Sequence, residues 1–258
     1  MENTKKALAH IQKTKPVILN LTNFVTMDFV ANCLLAIGAA PIMSVCEEEL
    51  EELIMISSVV TINIGTLHPA FLQLSQKAIQ LAKQHQKPIV LDPVGCGATK
   101  IRTQTALELA PHCSIIRGNA SEILALGNGA RLTKGVESVH STTDAMEVAD
   151  KIATQTGATV VISGSTDYIT DGSRSQKVTF GSPIMSHITG MGCSLTAVIA
   201  AMLAAEPKSW EAATLAAEYF ALCGTLAGQQ KPLPGTFKSA FLDTLHSPDF
   251  DAMNRLYD

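Results

Sequence analysis

Aromatic residues are scarce in this chain: one Trp, three Tyr and eight Phe make up 5% of its 258 positions. Stacking platforms for bases are correspondingly few, and a formal net charge of −4 leaves no positive excess to neutralise a phosphate backbone. Nucleic acid is not expected as a partner. Long apolar runs are missing as well. The most lipid-like stretch, Leu195 to Ala205, falls well short of the roughly 20 apolar residues that a membrane-spanning helix requires. It reads as a buried helix, and no membrane partner is expected. Met1 to Lys15 is polar and lysine-bearing and has no apolar signal-like core, so a cytoplasmic location is expected. The six cysteines, Cys33, Cys46, Cys96, Cys113, Cys193 and Cys223, form no CxxC pair and have no His at zinc-finger spacing. Reduced thiols are the expectation.

What is present is apolar: 47% of residues are hydrophobic and 16% charged, enough to fill a large core and far from the composition of disordered chains. No linker-like stretch divides the sequence, so residues 1–258 are expected to form one domain. Short apolar runs at Val17 to Leu21, Val59 to Ile64, Ile89 to Leu91 and Ser114 to Ile116 alternate with helical spacing over Val25 to Ile37, Pro69 to Gln84 and Thr103 to Leu109. That alternation predicts βαβ units and a mostly parallel sheet covered by helices on both faces. A Gly-rich loop is expected at Gly127-Asn128-Gly129, followed by a helix over Thr143 to Gln155 and a strand over Thr159 to Ile162. Tyr168 to Thr170 and Gln176 to Phe180 read as an antiparallel hairpin. Helices are predicted over Ser194 to Ala204, Trp210 to Gln229 and Thr236 to Leu245.

In an open parallel sheet, ligands bind beyond the carboxyl ends of the strands. Asn23, Gly65, Asp92 and Arg117 each follow an apolar run. Singly, each also reads as a turn residue or cap. In Asp92-Pro93-Val94-Gly95-Cys96-Gly97-Ala98, a strand-end carboxylate precedes two glycines that let backbone approach a ligand. Such an Asp suits Mg²⁺, which keeps several waters and shares its shell with phosphate oxygens. Glu122 is the candidate second carboxylate, or alternatively a first-turn residue stabilised by the helix dipole. In Gly190-Met191-Gly192-Cys193, two glycines lead straight into an apolar helix. Free N–H groups and the dipole would make an anion site there, against the plainer reading of a glycine hinge. The segment is not a Walker A loop, which needs Lys and then Ser or Thr after its last Gly.

Taken in order, Leu21-Thr22-Asn23-Phe24-Val25-Thr26, Gly38-Ala39-Ala40-Pro41-Ile42-Met43, the Asp92 segment, Arg117-Gly118-Asn119-Ala120-Ser121-Glu122, Asp167-Tyr168-Ile169-Thr170-Asp171-Gly172 and Gly190-Met191-Gly192-Cys193 resemble the hydroxyethylthiazole kinases over nearly the whole chain. The resemblance implies a ribokinase-like three-layer α/β fold and phosphorylation by ATP of the hydroxyl of 4-methyl-5-(2-hydroxyethyl)thiazole for thiamine salvage. It implies Met43 and Gly190 on the thiazole, with Asn23 and Gly65 on the same side. Arg117 and Ser163 would contact ATP, with Gly192 at the helix start beside its phosphates, and Asp92 and Glu122 would support Mg²⁺. A homotrimer with active sites between subunits is implied too. Ser163 stands where the family often has Thr and keeps the hydroxyl; Asp28 stands where it often has Asn.

Cys193 occupies the place where related ribokinase-like enzymes commonly carry Asp as base for the substrate hydroxyl. A helix start favours a thiolate, yet a thiolate is a moderate base for an alcohol. Positioning and charge neutralisation must do most of the work, as phosphoryl transfer allows. Three alternatives stay open at this point: a kinase for another alcohol such as a hydroxymethylpyrimidine, an ATP-dependent hydrate dehydratase, and a non-catalytic thiazole or nucleotide sensor.

Overall fold

The computed structural model describes residues 1–129, 142–229 and 232–257. In chain order its strands are β1 (Val17–Leu21), β2 (Ala40–Met43), β3 (Val59–Asn63), β4 (Ile89–Asp92), β5 (Ile115–Asn119), β6 (Thr159–Ser163), β7 (Asp167–Thr170) and β8 (Ser175–Val178). The helices are α1 (Glu2–Thr14), α2 (Met27–Ile37), α3 (Leu50–Ile56), α4 (Pro69–Gln84), α5 (Lys100–Leu109), α6 (Ala120–Asn128), α7 (Thr142–Thr156), α8 (Met191–Ala205), α9 (Ser209–Gly228), α10 (Pro234–His246) and α11 (Phe250–Asn254). Among the described residues the strands form one sheet in the order β2-β1-β3-β4-β5-β6-β7-β8. The first six run parallel, and β7 and β8 close the far edge as an antiparallel hairpin.

Strand side chains alternate between two cores, as the period of two requires. Ile18, Val59, Val90, Ile115 and Val161 face a core built with α1, α2, α8, α9 and α10, where Tyr219, Phe237 and Phe241 are fully buried. Leu19, Val60, Leu91, Ile116 and Val160 face a second core with α3 to α7. This is the three-layer α/β arrangement with the edge hairpin that the sequence led us to expect.

One expectation needs correcting. Gly127 and Asn128 do not form a loop; they close α6, and the turn begins at Gly129. Gly127 is a packing residue, since a Cβ there would overlap Cγ1 of Val148 on α7. Strand β2 was not anticipated, because Ala40-Pro41-Ile42-Met43 is short, half-buried throughout and carries a proline, which a sheet edge tolerates. Helix α1 is likewise new: its polar residues hide an apolar stripe of Ala7, Leu8 and Ile11.

After β1 the chain places β2 on one side and β3 on the other. That reversal opens a crevice at the carboxyl ends of β1 and β3.

Candidate active site

At the carboxyl edge of the sheet, polar side chains from five strands or the turns after them join into one line. Asn23, two residues past β1, donates through Nδ2 to Asn63 Oδ1 at 3.0 Å and to Cys193 Sγ at 3.4 Å. Asn63, the last residue of β3, donates to Asp92 Oδ2 at 2.9 Å. That oxygen also accepts from the Thr196 hydroxyl at 2.9 Å and from Arg117 Nη1 at 3.4 Å. The other Arg117 nitrogen, Nη2, donates to the Ser163 hydroxyl at the end of β6. Gly65 joins the line through its N–H, which donates to Asn63 Oδ1 at 3.0 Å. Arg102 clamps the loops behind it, donating to the carbonyls of Ile64 and Val94 at 2.7 Å and of Gly65 at 2.9 Å.

Asp92 is wholly buried, and burial pushes its carboxyl up to about 6. Arg117 and the Thr196 hydroxyl pull it down, while Glu122 pushes it further up. A buried carboxylate of this kind persists because a cation and two neutral donors surround it. Its Oδ1 has no hydrogen-bond partner among the described residues. Glu122 has both oxygens engaged: Oε1 accepts from Gly95 N–H at 2.9 Å, and Oε2 accepts from Asn119 N–H at 2.8 Å in a capping box that starts α6.

Helix α8 begins at Gly190, whose φ of +93° is a conformation that side chains other than glycine rarely adopt. The first intrahelical N–H bond there is Ser194 N to Gly190 O at 2.8 Å. The N–H groups of Met191, Gly192 and Cys193 therefore lie ahead of the helical ladder, where the dipole is positive. Gly192 is glycine for want of room: a Cβ would lie 2.5 Å from both terminal nitrogens of Arg117. Beside this helix start opens a cavity of about 830 Å³ lined by Arg117, Asn119, Ser163, Asp167, Gly192 and Leu195, with Phe180, Met185 and Phe220 on its apolar wall. Asp167 receives the Gly164 N–H at 2.9 Å, and burial pushes it up to about 6 against the pull of that bond and of Arg117.

Of the residues singled out in the sequence, Asn23, Gly65, Asp92, Arg117, Ser163 and Cys193 share the connected line, and Gly192 packs on Arg117. Gly190 abuts Thr26 and Phe29 and is not among the residues that line the cavity. Met43 stands apart at the end of edge strand β2, in register with Asn20. Arg117 sits within β5, not after it. The helix start does not make Cys193 a ready thiolate. Burial and the Asp92 charge push the thiol up, and the nearby polar side chains of Thr26 and Asn63 and the Arg117 charge offset this only in part. Asn63, Thr196 and Asp167 belong to the same neighbourhood, although none of them follows an apolar run in the sequence. Asn63 lies within the apolar run Val59 to Ile64 and so does not read as a residue at its end. Thr196 lies inside a helix whose composition reads as core, and the signal for it is its place one turn after Cys193.

The model of the hydroxyethylthiazole kinase family matches residues 8–249. The hydroxyethylthiazole kinase of Chlamydia caviae is 52% identical over 260 residues, covering 100% of this chain and 99% of the relative. The solved structure of a hydroxyethylthiazole kinase from Pyrococcus horikoshii superposes with a TM-score of 0.89 at 35% identity, covering 98% of this chain and 96% of that one. A ribokinase-like superfamily protein from Enterococcus faecalis superposes with a TM-score of 0.61 at 15% identity over 89% of this chain and 86% of its own, a likeness of fold alone.

Proposed function

This chain belongs to the hydroxyethylthiazole kinase family, and from that premise we propose that it transfers the γ-phosphoryl group of ATP to the primary hydroxyl of 4-methyl-5-(2-hydroxyethyl)thiazole. The geometry that carries this reading is the convergence of the α8 start and the Arg117 guanidinium on one cavity, with the buried Asp92 carboxylate paired to Arg117 behind them. Donors fixed in advance around a transferring phosphoryl group are what this chemistry requires. Arg117, Ser163 and Gly192 take the nucleotide side, and Asn23, Gly65, Met43 and Gly190 take the thiazole side, with Cys193 beside the attacking hydroxyl. The thiol receives a hydrogen bond from Asn23 and is neutral near pH 7, so it orients the alcohol and contributes little as a base.

The residues fit Mg²⁺ held mainly by phosphates and water. Asp92 Oδ1 is an open acceptor, while no cluster of three or more His, Cys, Asp or Glu stands ready for a metal among the described residues. Asp92 would hold the ion, with Glu122 reaching it through water because its oxygens serve the Gly95 and Asn119 N–H groups. When bound, the ion supplies charge neutralisation between phosphate oxygens.

We further propose that residues 1–258 act as one kinase domain in the cytoplasm; no described helix is long and apolar enough to cross a membrane. A homotrimer accords with the exposed Phe24 and Val25, which flank Asn23 with apolar surface that a neighbour would cover. A solution mass of about three times 27.4 kDa tests this.

The decisive assay is ADP release by the purified protein offered the thiazole alcohol, a hydroxymethylpyrimidine and simple alcohols. Release that depends on the thiazole is expected. Pyrimidine-dependent release, or thiazole binding without turnover, would overturn the assignment.

A further inference from the structure

The line of hydrogen bonds at the sheet edge passes through one side chain with no role assigned so far. Asn63 is 3% exposed. Its Oδ1 accepts from Asn23 Nδ2 and from Gly65 N–H, both at 3.0 Å, and its Nδ2 donates to Asp92 Oδ2 at 2.9 Å. These partners fix the amide's orientation, with the oxygen toward two donors and the nitrogen toward the carboxylate. Asn23 is divided in the same way. Its Oδ1 accepts the Thr26 N–H at 3.1 Å and the Thr26 hydroxyl at 3.0 Å, while its Nδ2 serves Asn63 and Cys193.

A neighbouring pair gives the contrast. Two residues back along β3, Thr61 donates to Asn20 Oδ1 at 2.9 Å, and Asn20 Nδ2 donates to the carbonyls of Ile18 and Ile42. That pair ties backbone to backbone and stops there. The partners of the Asn63 side chain, Asn23, Asp92 and the Gly65 N–H, are instead all residues of the candidate site.

We propose that Asn63 is a positioning residue. It holds Asn23, and through it the Cys193 thiol on the alcohol side, in one rigid frame with Asp92 on the phosphate side. The proposal rests on the thiazole kinase reading above. Two carboxamides and a carboxylate, each with its orientation set by its neighbours, keep acceptor alcohol and donor phosphate at one separation. Small errors in that separation are expensive in rate.

The test uses the full chain carrying Cys46→Ser, which removes the one exposed thiol. Asn63→Ala, Asn63→Asp and, as a control on the neighbouring pair, Thr61→Val are compared in it. Both Asn63 variants are expected to lose about 30-fold or more in kcat while KM for ATP stays within about threefold, since Asn63 touches neither Arg117 nor Ser163. In the ligand-free protein, Asn63→Ala is expected to speed iodoacetamide alkylation of Cys193, read by peptide mass, by about fivefold as Asn23 is released. Thr61→Val lowers the thermal midpoint and leaves both readouts in place. Turnover per folded molecule within about twofold of the parent in both Asn63 variants, or unchanged Cys193 alkylation in Asn63→Ala, overturns the proposal. Should Asn63→Ala not fold, Asn63→Asp, which keeps the size and the Oδ1 acceptor but turns a carboxylate oxygen toward Asp92, carries the kinetic test. If the parent itself releases no ADP with the thiazole alcohol, the kinase reading fails, and the alkylation result on the ligand-free protein still decides whether Asn63 holds the frame.

Discussion

Gly192 and Arg117 form a contact so close that one methyl group decides it. In Gly192→Ala the new Cβ would sit 2.5 Å from the guanidinium, forcing Arg117 off Asp92 or off Ser163. We expect KM for ATP to rise about tenfold or more with the fold retained, measured by steady-state kinetics and circular dichroism. Cys193 offers a sharper chemical question. Asp in its place restores the base used by related kinases, so Cys193→Asp should turn over faster than Cys193→Ala; equal rates would remove proton transfer at this position from the mechanism. Asp167 predicts a pH effect. Its folded-state value of about 6 lies above the ordinary 3.8, so the native state holds the proton more tightly than the unfolded chain. The carboxyl therefore costs nothing below about pH 4, and its burial cost grows as pH rises through 6 to at most about 3 kcal/mol. Asn keeps an acceptor for the Gly164 N–H and does not ionise. Melting temperatures of Asp167→Asn should fall less between pH 4 and pH 7 than those of the parent; parallel curves would rule the cost out. Asp92, Arg117 and Asn23 were legible at this scale because each follows an apolar run. Asn63 and Thr196 were not, because what marks them is a partner on another element, and a single sequence does not show partners.

At the scale of elements, spacing was a good guide wherever an apolar stripe met a wholly buried face. β1 and α4 lie where the pattern put them, with ends that match to the residue. β2 and α1 were illegible because each buries only part of itself, so composition there is mixed. The misread glycines at the end of α6 show a further limit: Gly127 and Gly129 look alike in sequence, yet the first serves packing and only the second has positive φ. The difference is measurable. Gly127→Ala should cost about 1–3 kcal/mol of unfolding free energy by urea titration, because its Cβ overlaps Val148 and α6 and α7 must separate. Loss below about 0.5 kcal/mol would mean that the two helices are not held at that distance.

For the molecule as a whole, the sheet is the shared wall of two cores, and the site lies across one of its edges. The line from Cys193 to Ser163 draws one residue or more from the ends of β1, β3, β4, β5 and β6 and from α8. Those elements span both cores, so neither core can come apart and leave the site intact. Heat inactivation and loss of the fold should then be a single event: residual kinase activity and helical ellipticity, followed along one temperature ramp, are expected to fall together, with no dead but folded intermediate between them.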